Sequence, residues 1–249
     1  MSNERTARIA VLFCAVLEDE IEHYSKDLPQ VIHAEKLEQG LHNEPDRLRS
    51  TLQATIDRVE SEVKPTAIVL GYGLCSRGTE AVTTKAALLV VPRAHDCITL
   101  LLGDKRVYAN YVREHPGTYW YSPGWNRHHI PPGKKRYDTL YAQYVEKYGE
   151  DDAEFLMESE QHWFQAYNLA AYVDLGVGVT QEDIDYTKGC AEWLKWSFDH
   201  QRGNPQLLID LLSGNWEDEK FLVLQPGQTL AMTADDRVIT IAAPKDSVS

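Results

Sequence analysis

Two short apolar runs, Ala67–Leu70 and Ala87–Pro92, narrow the fold more than any other feature of the chain. Neither alternates polar with apolar residues, so neither suits a sheet with one wet face. Each reads as a central strand covered on both sides, the pattern of a parallel sheet with crossover helices. The first ends in Gly71-Tyr72-Gly73 and the second in Arg93-Ala94-His95. Upstream, Arg8–Leu17 predicts a first strand, Glu18–Leu28 a short helix and Gln30–Lys36 a weaker second strand. Leu48, Leu52, Ile56, Val59 and Val63 recur at intervals of three and four. They predict a helix over Pro45–Val63, with proline in the first turn where it is tolerated. A further helix is expected over Cys97–Val112 with Asp96 as its N-cap, then a strand over Thr118–Tyr121 closed by Ser122-Pro123-Gly124-Trp125. The expected fold class is therefore α/β: a Rossmann-like, open, mostly parallel sheet flanked by helices.

Residues 126–168 change character, with charge clusters and the aromatics Tyr137, Tyr141, Tyr144, Tyr148, Trp163, Phe164 and Tyr167, many at helical spacing. Packing between helices is their simplest role; lining a substrate pocket or a subunit contact is the alternative. Strands at Ala170–Val173 and Phe221–Leu224, a helix over Gln181–Trp196 and a hairpin over Leu230–Ile241 turned at Asp235-Asp236 follow. The expected organisation is an α/β core over residues 1–125, a helical insertion or lobe over 126–168, and a C-terminal α/β part over 169–249. That last part would complete the first domain and end in the β-hairpin.

A formal net charge of −13 over 249 residues, with no basic run longer than Lys134-Lys135-Arg136, has the wrong sign for nucleic acid. No stretch reaches the roughly 20 apolar residues that span a bilayer. Ile9–Leu17 runs straight into Glu18-Asp19-Glu20, which suits a buried strand better than a signal peptide. A cytoplasmic, reducing setting is the expectation, in which the four cysteines stay thiols.

Ligands of an open parallel sheet bind where the loops leave the carboxyl ends of its strands. Cys14 lies late in the first expected strand, and Gly40-Leu41-His42-Asn43 follows the second. Cys75 follows the third, and His95-Asp96-Cys97 the fourth. One edge thus receives three thiols and two imidazoles. Cys14, Cys75 and Cys97 are expected to ligate zinc or an iron–sulfur cluster, both of which prefer sulfur. His42 or His95 would serve as fourth ligand or proton-transfer group, and Asp96 either joins them or only caps its helix. The spacing resembles neither a zinc ribbon nor a ferredoxin run, so the expectation rests on topology alone. The opposing reading is that cysteine is among the most buried residue types and that Cys14 is core. Cys190, beside Trp193 and Leu194 in an amphipathic helix, reads as core. His128-His129, an adjacent pair in a loop, is a poor chelator.

Gly71, Gly73 and Gly78 punctuate a loop that lacks the Gly-Lys-Ser/Thr ending of a P-loop. Gly71 and Gly73 with Arg77 and Arg93 as counter-charges would hold a small anion; the alternative is a tight turn needing positive φ. Cys97 at a helix start would also be a reactive thiol.

Four segments add a resemblance. Glu38-Gln39-Gly40-Leu41-His42-Asn43, Leu70-Gly71-Tyr72-Gly73-Leu74-Cys75, Pro92-Arg93-Ala94-His95-Asp96-Cys97-Ile98, and Gly117-Thr118-Tyr119 through Gly124-Trp125 resemble, in that order, the signatures of the family catalogued as domain of unknown function 1638. The resemblance covers roughly the first half of the chain. It implies no activity. It implies a setting in anaerobic bacteria and archaea near corrinoid-dependent methyl-transfer systems, and hence a corrinoid or methyltransferase protein as partner. Three expectations stay open: a metal-dependent transferase or lyase, or its accessory protein, acting on a small thiol or anion; a metal-free protein binding an anion or a partner; and a cysteine-nucleophile or redox enzyme using Cys97, His95 and Asp96.

Overall fold

The computed structural model describes residues 7–243. In chain order its main elements are β1 (Ile9–Cys14), α1 (Glu18–Ser25), β2 (Val31–Leu37), α2 (Pro45–Glu62), β3 (Ala67–Gly71), β4 (Leu88–Pro92), α3 (Cys97–Leu102), α4 (Lys105–Glu114), β5 (Thr118–Tyr121) and α5 (Pro123–His128). There follow α6 (Lys134–Tyr148), α7 (Glu150–His162), β6 (Leu169–Asp174), α8 (Gln181–Leu194), β7 (Ser197–Arg202), α9 (Gln206–Ser213), β8 (Phe221–Leu224), β9 (Leu230–Met232) and β10 (Ile239–Ile241). Among the described residues no helix is long and apolar enough to cross a membrane.

The chain divides into two compact units, residues 1–107 with 204–249, and residues 108–203. The boundaries expected at 125/126 and 168/169 both fall inside the second unit. The reason is pairing: β5, expected to close the first core, hydrogen-bonds to β6 with Thr118 opposite Leu169 and Tyr121 opposite Tyr172. Residues 126–168 are the crossover between these two parallel strands.

In the first unit the sheet order is β2-β1-β3-β4-β8, with β1 to β4 parallel and β8 antiparallel at the edge. Every residue of β1 and β3 is buried, as their unbroken apolar composition requires. Edge strand β2 alternates half-buried and exposed residues. The α2 stripe is realised: Leu48, Leu52, Ile56 and Val59 are fully buried. The single helix expected over Cys97–Val112 is instead two. Gly103 ends α3 at φ +82°, and a Cβ there would lie 2.5 Å from the Asn204 carbonyl oxygen, so the chain must break where α9's approach strand passes. The hairpin of β9 and β10 forms over the expected span, with Leu230 opposite Ile241.

Helix α9 carries the buried carboxylate Asp210, which accepts hydrogen bonds from Gln206 Nε2 at 2.8 Å, Lys220 Nζ at 2.9 Å and Asn215 Nδ2 at 3.1 Å. Burial alone would raise its pKa; the bonds from Lys220, Gln206 and Asn215 outweigh burial and hold it below the ordinary aspartate value. A pKa depressed in the folded state gives stability that is present above the unfolded value of about 3.9 and is lost as pH falls through the folded value. Wild type is therefore expected to exceed Asp210→Asn in stability near neutral pH, by a margin that closes below about pH 4. Urea melts of both proteins across that range check it; a margin that held constant into acid would contradict the assignment.

The second unit has its own sheet, β5-β6-β7, wholly parallel. Tyr121, Ala170, Tyr172, Cys190 and Ala191 form its core, with Tyr119, Tyr186, Trp196 and Phe198 packed against them. Cys190 is core, as expected; a Cβ at Gly133 would lie 2.5 Å from its sulfur. Tyr121 closes this core by donating to the Pro132 carbonyl at 2.9 Å. The tyrosine-rich crossover also packs on aromatic neighbours, Tyr137 against Tyr141 and Trp193.

Candidate functional site

The strand order reverses between β1 and β3: the chain leaves β1 for β2 on one side and returns to β3 on the other. The carboxyl ends of strands flanking such a point diverge into a crevice, the usual ligand position of open α/β sheets. Cys14 is the last residue of β1 there, and the chain turns sharply away through Ala15–Leu17. Phe13 stands opposite Gly71, so Cys14 and Tyr72 leave the sheet at the same level. The loops after β3 and β4 continue the ladder beyond the sheet, Leu74 N–H to the Ala94 carbonyl at 2.8 Å and Cys75 N–H to the His95 carbonyl at 3.0 Å.

Two glycines make this approach possible, and neither does so through positive φ. A Cβ on Gly71 would lie 2.6 Å from the Phe13 Cβ. One on Gly73 would lie 2.6 Å from the Asp96 backbone nitrogen and 2.9 Å from the Ala94 carbonyl oxygen. The glycines expected to cradle an anion thus serve to bring two loops together. Positive φ falls instead on three consecutive non-glycine residues, Cys75 (+45°), Ser76 (+54°) and Arg77 (+69°). Each costs roughly 1–2 kcal/mol against the right-handed form. A dense set of bonds offsets that cost: Gly78 N–H to the Cys75 carbonyl at 2.9 Å, Arg49 to the Arg77 and Glu80 carbonyls at 3.0 and 2.9 Å, and Arg77 to Glu80 at 2.7 Å. Strain maintained by its surroundings at a loop carrying a reactive side chain is a mark of a functional segment.

The three thiols meet around Cys97. Its pKa is pushed well up by hydrogen bonds with Cys14 and Cys75 and by burial, whereas Cys14 is pulled down by the bond from Cys97 and, against burial, by the Val16 N–H. Tyr72 belongs to the same cluster. It is 1% exposed, its hydroxyl is buried, and that hydroxyl has no hydrogen-bond partner among the described residues. Burial drives its pKa well up, and the neighbouring Cys14, Cys97 and Cys75 add to this. A buried hydroxyl left unpaired costs about 1–3 kcal/mol. Among the described residues no group of three or more His, Cys, Asp or Glu side chains has the spacing of a finished metal site; the thiols are joined pairwise through Cys97.

The other expected site residues divide. Asp96 is the N-cap of α3, accepting from the Thr99 N–H at 3.2 Å. His95 is exposed, and its carbonyl rather than its ring is what the Cys75 N–H meets. His42 falls in the turn Gln39–Asn43, and its side chain lies outside the described residues. Arg77 is committed to Glu80. Arg93 is a correction. Expected beside an anion, it is 5% exposed and its guanidinium is engaged by the Asp218 carbonyl at 2.6 Å, the Asp218 carboxylate at 2.9 Å and the carbonyls of Arg237 and Ile239. It ties β4 to the C-terminal segment. Cys97 is the first residue of α3, as expected, although that helix has only six residues. Tyr72 was the residue sequence reasoning passed over. Its only signal was an aromatic between two glycines at a strand end.

Fold and site together define a Rossmann-like α/β protein with a thiol cluster, Cys14 buried and Cys75 and Cys97 half-buried, at the switch point of its sheet. The chain matches the family described as Protein of unknown function (DUF1638) over residues 36–212 and belongs to it. The match extends well past the first half, through the second unit and into α9; it includes Tyr72, Cys75 and Cys97, and Cys14 precedes it. No curated protein and no solved structure matches the chain.

Proposed function

We propose that Cys14, Cys75 and Cys97 hold a thiophilic metal, either a zinc ion or an iron–sulfur cluster, in a transferase or lyase, or in the accessory protein of one, acting on a small thiol or anion. The observation that carries this reading is the convergence of three thiols, from the end of β1 and the loops after β3 and β4, with Cys97 hydrogen-bonded to both others. The donor set is soft, and a strained, tightly braced loop delivers one of the ligands. A metal there would supply Lewis acidity, or would lower the pKa of a thiol or water held at an open position. The protein's part is to bind, to exclude water and to fix the sulfurs. Metal–sulfur bonds would replace the shared S–H protons, so binding would release protons and tighten with rising pH.

The anion-binding alternative loses its two counter-charges to Asp218 and Glu80. A nucleophilic Cys97 would need an adjacent base, yet Asp96 caps α3 and His95 is exposed. A corrinoid or methyltransferase partner belongs to the same proposal, supported by the family resemblance alone, as does a cytoplasmic setting, supported by the apolar patterning of the sequence.

The test is metal and acid-labile sulfide on protein purified without oxygen. About one zinc per chain without sulfide is expected for thiol or water activation, and iron with matching sulfide for a cluster. Neither metal, with four free thiols by titration and no uptake of added zinc or of iron and sulfide, would overturn the reading.

A further inference from the structure

We infer that Tyr72 is a positioning residue of the thiol site, whose buried hydroxyl donates a hydrogen bond to a non-protein sulfur or oxygen held at Cys14, Cys75 and Cys97. The inference rests on the metal reading above and deepens it: what binds is not a bare ion closed off by protein but an ion or cluster carrying an atom with a free lone pair. A cluster sulfide, a zinc-bound substrate thiolate and a zinc-bound water share that chemistry.

The side chain has no structural use for its oxygen. Tyr72 is 1% exposed at the end of β3, and its ring serves the core as phenylalanine would. Its hydroxyl finds no partner among the described residues, whereas the buried Tyr121 hydroxyl of the second unit donates to the Pro132 carbonyl at 2.9 Å. Buried hydroxyls are paired as a rule, and an exception calls for a missing partner. Tyr72 follows the Phe13–Gly71 pair and so stands level with Cys14, and Cys14, Cys97 and Cys75 all act on it, so the unused donor lies beside the proposed ligand position. Gly71 and Gly73 on either side let the backbone flanking Tyr72 approach Phe13 and Asp96 closely. Donors to metal-bound atoms orient and stabilise them, and their loss typically weakens metal binding by 10–100-fold.

The experiment compares wild type, Tyr72→Phe and Tyr121→Phe, each as the full chain in metal-free and loaded form. Loading uses zinc in one arm and iron with sulfide in the other. Tyr72→Phe is expected to melt at or above the wild-type temperature when metal-free, because it removes an unpaired buried group, and to hold the metal about tenfold more weakly. Tyr121→Phe should do the reverse, melting lower and binding metal as wild type does. In the zinc arm, cobalt substituted for zinc should show an altered visible spectrum in Tyr72→Phe, a change that a purely structural role would not produce. The arm that shows the weakening identifies the acceptor as a cluster sulfide or a group on zinc. Equal affinity of Tyr72→Phe and wild type in whichever arm loads would overturn the role of Tyr72 and leave the metal reading standing. Failure of wild type to load in both arms would overturn both.

Discussion

Cys97→Ser is expected to lose its metal completely while keeping its fold. Cys97 is hydrogen-bonded to both of the others, so its removal takes away the thiol that Cys14 and Cys75 share. Serine offers a hard oxygen with a much higher pKa in place of a soft sulfur. The loss should exceed the 10–100-fold that follows removal of an outer-shell partner. Little of the fold depends on the sulfur: α3 is capped by Asp96 through the Thr99 N–H, and the two loops are joined by backbone bonds at Leu74 and Cys75. Elemental analysis and a thermal melt on the same preparation check both halves. Cys190→Ser is the control, since that thiol is buried in the second unit's core and its loss should lower the melting temperature without changing metal content. A Cys97→Ser protein with full metal would remove Cys97 from the site and the proposal with it.

The first unit was largely legible because its strands are apolar throughout. Burial on two faces writes itself into Ala67–Leu70 and Ala87–Pro92, and a parallel sheet fixes which ends of its strands share an edge. The convergence of Cys14, Cys75 and Cys97 could therefore be expected without any local motif. What could not be read was side-chain commitment. Arg93 looks the same in sequence whether it faces an anion or clamps Asp218 and Ile239, because its partners lie 125 and 146 residues away. The left-handed run at Cys75, Ser76 and Arg77 was hidden for a related reason: the glycines that advertise positive φ are its neighbours, and bonds from Arg49 on α2 hold the strained residues. The second sheet escaped notice because β7, Ser197–Arg202, has Phe198 as its one apolar residue and none of its residues is fully buried. Without β7, β6 looked like a late addition to the first sheet rather than the centre of its own.

That second sheet is pinned by one carboxylate, and removing the groups that neutralise it should cost more than removing the carboxylate itself. Asp174 ends β6 at 1% exposure and accepts from Arg202 Nη1, His200 Nε2 and the Gly176 N–H, each at 2.6 Å. The guanidinium also donates to the Leu175 carbonyl at 3.0 Å and lies over Gly176, where a Cβ would be 1.9 Å from Nη2. The two basic side chains are partly in water, 38% exposed for His200 and 65% for Arg202, so each is readily solvated when its partner goes. Asp174 is not. His200→Ala with Arg202→Ala would strand a buried charge, for which about 3–5 kcal/mol is expected. Asp174→Asn keeps the shape and loses charge-assisted bonds to groups that water can receive, so it should cost less, about 1.5–3 kcal/mol. Adding Asp174→Asn to the double variant should then restore stability, since the stranded charge disappears. Hydrogen exchange of the β6 and β7 amides in the full chain reads all four proteins. Independent, additive losses across the set would mean that Asp174 is held by its backbone partners alone, and that the two cations contribute no more than a surface pair does.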